Sequence, residues 1–168
     1  ADDPVGGDRP QNDGGGMTYR VPLVESTWGA DERAAIDAVL DSGHLTMGKK
    51  VLEFEEAFAL HAHCKHAVMV TSGSMALLLA AFWYAENIGR HKAVMPALTW
   101  PTTAWSFIAA GCPVWFRDVN PETLLMEIQP GVTGGFLHVP VNLMGNRADL
   151  PFSGRTIVDN CEAMQPHM

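Results

Sequence analysis

The chain has 168 residues, 47% of them hydrophobic, and eleven Lys and Arg against nineteen Asp and Glu, for a formal charge of −8. That composition is enough for a buried core of ordinary density and excludes a disordered chain; the acidic balance argues against broad attraction to nucleic acid or to an anionic membrane surface. Three widely spaced cysteines, Cys64, Cys112 and Cys161, do not make a disulfide framework and suit a reducing, cytoplasmic compartment, and no apolar run reaches the length of a membrane span.

Residues 1–16 hold almost nothing that could enter a core and end in Gly14-Gly15-Gly16, which predicts a disordered extension ahead of a folded segment over 17–168. From Asp31, the pattern Ala34, Ala35, Ile36, Val39, Leu40 predicts an amphipathic helix that stops at Ser42-Gly43. A second helix is expected from about Lys50 to His61, with Val51, Phe54, Phe58 and Ala59 on its inner face and Glu53, Glu55 and Glu56 solvated outside. A strand over Ala67 to Thr71 follows, then a helix from Met75 to about Asn87 ending near Gly89. Short strands are expected at Ala93 to Met95 and Pro113 to Phe116, with a helix over Thr103 to Ala110 between them. Further apolar runs lie at Gly135 to Val141 and Thr156 to Val158. Alternating strands and helices favour an α/β fold, a three-layer α/β/α domain with a mostly parallel sheet, and in such sheets ligands gather at the carboxyl ends of the strands.

The chemically informative residues fall at those strand ends. Ser72-Gly73-Ser74 joins a strand to a helix, where free N–H groups of the first turn, two hydroxyls and the helix dipole offer a phosphate site; the same tripeptide also serves as a plain N-cap. Trp100, in the loop Leu98-Thr99-Trp100-Pro101-Thr102-Thr103, is placed either to stack on a flat heteroaromatic ligand or to pack beneath its loop. Asp159, after Thr156-Ile157-Val158, can hold a protonated ring nitrogen by a charge-assisted hydrogen bond or cap the next turn. Phosphate cradle, aromatic plate and ring-nitrogen carboxylate are the three parts that pyridoxal phosphate requires. The His61, His63, Cys64, His66 cluster lacks structural-zinc spacing, and no metal is expected there. His138 reads as a packed strand residue, and the acids beside Cys161 disfavour its thiolate.

In order along the chain, these segments resemble the N-terminal part of the DegT/DnrJ/StrS-type sugar aminotransferase family. The resemblance is carried by Ser42-Gly43-His44-Leu45, Gly48 with Val51 and Phe54-Glu55, Ser72-Gly73-Ser74, Pro96 with Thr99-Trp100, Gly111 with Pro113-Val114, Asp118-Val119, Gly145 and Val158-Asp159. It implies part of the large domain of a fold-type I enzyme that uses pyridoxal 5'-phosphate or pyridoxamine 5'-phosphate on nucleotide-linked keto-sugars, with homodimeric relatives. It also implies roles by position: Gly73, Ser74 and Met75 at the phosphate, Trp100 over one ring face, Asp159 at the pyridinium nitrogen, and Glu162 beside the ring. Leu45-Thr46-Met47-Gly48, Thr99 to Thr103, Asn142 to Asn146 and Asp159 to Met164 look more like the branch that removes the C3 hydroxyl of 4-keto-6-deoxyhexoses. Glu162 stands where aminotransferases of the family carry Gln; an ionised Glu cannot donate to the ring's phenolic oxygen, so it accepts, is protonated, or faces elsewhere.

The family's catalytic Lys, or the His that replaces it in the dehydratase branch, is expected beyond Asp159. The four lysines, Lys49, Lys50, Lys65 and Lys92, do not occupy that position. The resemblance therefore implies the first half of a complete enzyme, without its small domain. Three readings follow: a truncated aminotransferase-family protein, a 3-dehydratase-type relative, and a non-catalytic remnant or partner subunit.

Overall fold

The computed structural model describes residues 28–127, 135–148 and 154–163, and the expected extension over residues 1–16 lies outside them. The chain divides into two compact units, Ala1–Thr46 and Met47–Met168. In the first, helix α1 (Ala30–Asp41) opens at Gly29, whose N–H donates to Glu32 Oε2 at 2.7 Å. It closes at Ser42, and Gly43 then takes a left-handed φ of 69°, the turn expected from the Ser42-Gly43 pair.

The second unit contains α2 (Lys49–His61), α3 (Gly73–Asn87), β1 (Lys92–Pro96), α4 (Pro101–Ala109), β2 (Val114–Arg117), β3 (Phe136–His138) and β4 (Arg155–Thr156). The four strands make one sheet in the order β2-β1-β3-β4, and every pairing is parallel. The step from β1 through α4 to β2 runs one way along the sheet, and the return to β3 passes back beyond β1. The crevice between β1 and β3, at their carboxyl ends, is therefore a topological switch point.

The core lies between the sheet and the pair α3 and α4. Ala81 and Tyr84 of α3 and Ala104 and Phe107 of α4 pack on Ala93, Met95, Leu137 and Val139. Central strand β1 is buried at four successive positions, Ala93 to Pro96, so both its faces are covered, as a parallel sheet requires. Pro101 opens α4 at a position where its missing N–H has no intrahelical acceptor to lose. Gly111 follows α4 with φ 76°, a conformation that favours glycine, and turns the chain into β2.

Three expectations are corrected. Residues 67–71 form no ladder with any strand among the described residues; instead the Met69 N–H donates to Glu55 Oε1 at 2.7 Å. A β-branched run encodes a preference for extended backbone, but a strand also needs a partner, and that is non-local information. Helix α2 forms as expected but buries no residue: Phe54 and Phe58 stack on each other at the surface, 5.7 Å between ring centres. Glu55, expected to be solvated, is half-buried and committed to Met69. Among the described residues, no helix is long and apolar enough to cross a membrane.

Candidate functional site

A pocket of about 250 Å³ opens at the carboxyl ends of the strands, within the second unit. Gly73, Ser74, Trp100, Asp159 and Glu162 all line it. Five of the six residues singled out from the sequence are thus brought to one cavity from segments up to 89 positions apart. The sixth, Met75, is not part of the lining; its N–H donates to Ser72 Oγ at 3.2 Å, so Ser72 acts as the N-cap of α3.

The phosphate-site and N-cap readings of Ser72-Gly73-Ser74 are compatible. Ser72 takes the Met75 amide, while the amides of Gly73 and Ser74 belong to the first turn and have no intrahelical acceptor. The Ser74 hydroxyl is hydrogen-bonded to Thr102 Oγ1 at 2.8 Å, which ties the start of α3 to the start of α4. Gly73 is needed for a second reason. A methyl group there would collide with Cys161 Sγ, so the loop after β4 sits directly on the first turn of α3.

Asp159 is 5% exposed, and both carboxylate oxygens are engaged. The Thr103 hydroxyl donates to Oδ2 at 2.8 Å, and the Cys161 N–H donates to Oδ1 at 3.2 Å. The second contact is the turn-capping alternative raised by the sequence. The first is additional, and it leaves lone pairs on both oxygens for a further donor. Thr103 in turn accepts from Thr99 Oγ1 at 3.0 Å. The position of Asp159 is fixed by backbone as well: its N–H donates to Pro140 O and its carbonyl accepts from Asn142, both at 2.9 Å. Fully buried Asn142 also donates to Asn160 Oδ1 at 2.6 Å and accepts from the Ala148 N–H at 3.0 Å, linking the loops that follow β3 and β4.

Glu162 accepts the Met144 N–H at 2.7 Å through Oε2. Met144 sits in the left-handed region, φ 53°, inside a short 3-10 turn at Leu143–Gly145, and that contact holds the turn against the loop after Asp159. One oxygen of Glu162 is thus committed to a backbone amide, while its side chain still lines the pocket. Trp100 is 72% exposed at the mouth of the pocket, so its indole presents a free surface and is not packed beneath its loop. Cys161 also lines the cavity. Desolvation, followed by the hydrogen bond and charge of Asp159 and then the charge of Glu162, pushes its thiol up to about 11, the direction expected from its acidic neighbours.

Sequence reasoning gave no role to Thr102, Thr103, Asn142 or Cys161. The available signal was the run Thr99, Thr102, Thr103 after a buried strand, with Thr99 and Thr103 four residues apart and able to meet across the entry to a helix. The cluster His61, His63, Cys64, His66 stays apart from the pocket lining, and Cys64 Sγ donates to the His66 carbonyl at 3.2 Å. His138 is 5% exposed in β3.

The sequence is 37% identical over 160 residues to GDP-4-keto-6-deoxy-D-mannose 3-dehydratase of Escherichia coli O55:H7, covering 85% of this chain and 41% of that protein. It is 34% identical to the spore coat polysaccharide biosynthesis protein SpsC of Bacillus subtilis, covering 80% of this chain and 34% of SpsC. The fold superposes with a TM-score of 0.76 on a crystal structure of GDP-4-keto-6-deoxymannose-3-dehydratase with a trapped PLP-glutamate geminal diamine, at 34% identity, over 86% of this chain and 42% of that one. The chain spans about two fifths of the length of the curated 3-dehydratases that it matches. A family model described as the DegT/DnrJ/EryC1/StrS aminotransferase family matches residues 27–152, three quarters of the sequence. The chain belongs to the DegT/DnrJ/EryC1/StrS aminotransferase family.

Proposed function

We propose that the pocket binds pyridoxal 5'-phosphate or pyridoxamine 5'-phosphate, and that the complete protein acts on a nucleotide-linked keto-sugar in the cytoplasm as a homodimeric aminotransferase-family enzyme. The observation that carries the cofactor reading is the convergence of an open helix start, a buried and oriented carboxylate and an exposed indole on one cavity. The donor set fits the group. Gly73 and Ser74 offer amides and a hydroxyl to a phosphate, and the N-terminal end of α3 adds partial positive charge. Asp159 offers an acceptor to a protonated ring nitrogen, and Trp100 offers a flat face. When bound, the cofactor supplies an electron sink for charge left on the substrate after proton removal. The chain's own part is to hold the phosphate, keep the ring nitrogen protonated through Asp159 and shield one ring face with Trp100.

Titration of the purified chain with pyridoxamine 5'-phosphate tests this directly, since that form has no aldehyde to react with surface lysines. Saturable binding is expected, weakened about 10- to 100-fold in Asp159→Asn, the range for losing a hydrogen bond to a charged group. Equal binding by the variant and the parent chain would refute the assignment.

A second reading is favoured by a particular observation: 3-dehydratases are among the relatives, at 37% and 34% identity. In that reading the complete protein removes the C3 hydroxyl of a 4-keto-6-deoxyhexose. Mass analysis of the product decides between the two, because amination adds nitrogen whereas dehydration loses oxygen.

A further inference from the structure

We infer that Thr103 is a positioning residue for the cofactor's ring nitrogen, acting through Asp159 as the inner member of a hydroxyl relay that begins at Thr99. The inference rests on the proposed pairing of Asp159 with that nitrogen. The terminal torsion of an aspartate is broad, so a carboxylate that must present one lone pair in one direction needs its other acceptor sites held. The structure supplies the holders from two elements. The Cys161 amide fixes Oδ1 from the carboxylate's own loop, and the Thr103 hydroxyl fixes Oδ2 from α4.

Thr103 is fully buried in the first turn of α4, where its amide donates to Trp100 O at 3.0 Å. Its hydroxyl proton is committed to Asp159, and its lone pair accepts the proton of half-buried Thr99. All the hydrogens along Thr99, Thr103 and Asp159 thus point the same way, toward the carboxylate, and donors in series polarise and strengthen one another. The N-terminal end of α4 adds its partial positive charge behind the same oxygen. The relay also links the ring-nitrogen partner to the segment that carries the indole, because Thr99 and Thr103 flank Trp100 in the sequence. Displacing the relay would disturb the ring nitrogen and the stacking indole together.

The test uses the full chain with pyridoxamine 5'-phosphate labelled with nitrogen-15 in the ring. Thr103→Val keeps the shape and removes the hydroxyl, Thr103→Ser keeps the hydroxyl, and Asp159→Asn reports on the underlying pairing. Parent and Thr103→Ser are expected to bind within about twofold of each other and to show the protonated ring-nitrogen resonance. Thr103→Val is expected to bind about tenfold more weakly, with the resonance displaced toward that of neutral pyridine. A wild-type affinity and resonance in folded Thr103→Val would overturn the relay, while leaving the pairing intact if Asp159→Asn still loses both. An unchanged Asp159→Asn would instead overturn the pairing beneath it. Should Thr103→Val fail to fold, Thr99→Val removes the outer hydroxyl; a smaller displacement of the same resonance supports the relay, and an unaltered resonance overturns it.

Discussion

Helix α3 has two sides that have met different fates. Leu77, Ala81 and Tyr84, at helical spacing, are no more than 6% exposed and seat the helix in the core, so that its first turn enters the pocket. Leu79, Phe82 and Trp83, on the other side, are 55%, 42% and 58% exposed, although they are as apolar as the buried set. The inner side is specified by complementary partners in β1, α4 and β3; the outer side carries the same residue types without them. Hydrophobicity made the helix, and packing partners alone decided which side does energetic work.

The sharpest way to break that comparison is a pair of substitutions. Phe107→Ala opens a cavity where α4 meets the sheet and should cost about 3–5 kcal/mol of unfolding free energy, whereas Trp83→Gln should change it by less than about 0.5 kcal/mol. Denaturant unfolding followed by circular dichroism reads both. A large loss in Trp83→Gln would mean that the outer side is packed after all.

A second prediction concerns the point where the inner side becomes the pocket. Gly73→Ala forces a methyl group onto Cys161 Sγ and should cost about 1–3 kcal/mol, the range for overpacking a closed contact. Cys161→Ala removes the sulfur, and Cys161 Cβ would lie 3.7 Å from the new methyl, an ordinary contact. The double variant should therefore recover most of the loss, and a double-mutant cycle measures the coupling. Additive effects would show that Gly73 is required for something other than room.

The same division explains what was legible in the sequence. Helices α1 to α4 and the strands around Met95 and Val114 follow from local periodicity and turn residues, and their observed ends lie within a few residues of those expected. Trp100 and Asp159 stood out because strand ends are where a parallel sheet exposes its chemistry, and Gly73 and Ser74 because they open a helix, although the strand expected before them does not form. The missed features all depend on contacts between distant segments. Thr103 meets Asp159 across 56 positions and Asn142 meets Asn160 across 18, and nothing in either short segment names its partner. The failed strand at 67–71 and the open face of α2 are the same lesson in reverse: an apolar pattern declares a need for a partner without supplying one.

The smallest expected effect is chemical and leaves stability at neutral pH untouched. Cys161 is an exposed residue whose sulfur lies against the first turn of α3, and the desolvation that follows acts on its ionisation. With the thiol pushed up to about 11, chiefly by desolvation and then by Asp159 and Glu162, it carries roughly a hundredfold less thiolate at pH 8 than an ordinary cysteine. Alkylation by iodoacetamide at pH 8, read by peptide mass analysis, should be slower at Cys161 by about that factor in the folded chain than in urea. The sign for stability follows from proton binding. Between the ordinary thiol range and about pH 11 the folded state holds the proton that the unfolded state has released, so this group favours folding less as pH rises through that window. Asp159→Asn removes one of the two carboxylates that face the sulfur but leaves the desolvation in place. It should therefore restore only part of the lost reactivity, and full restoration would show that charge, not desolvation, governs the thiol.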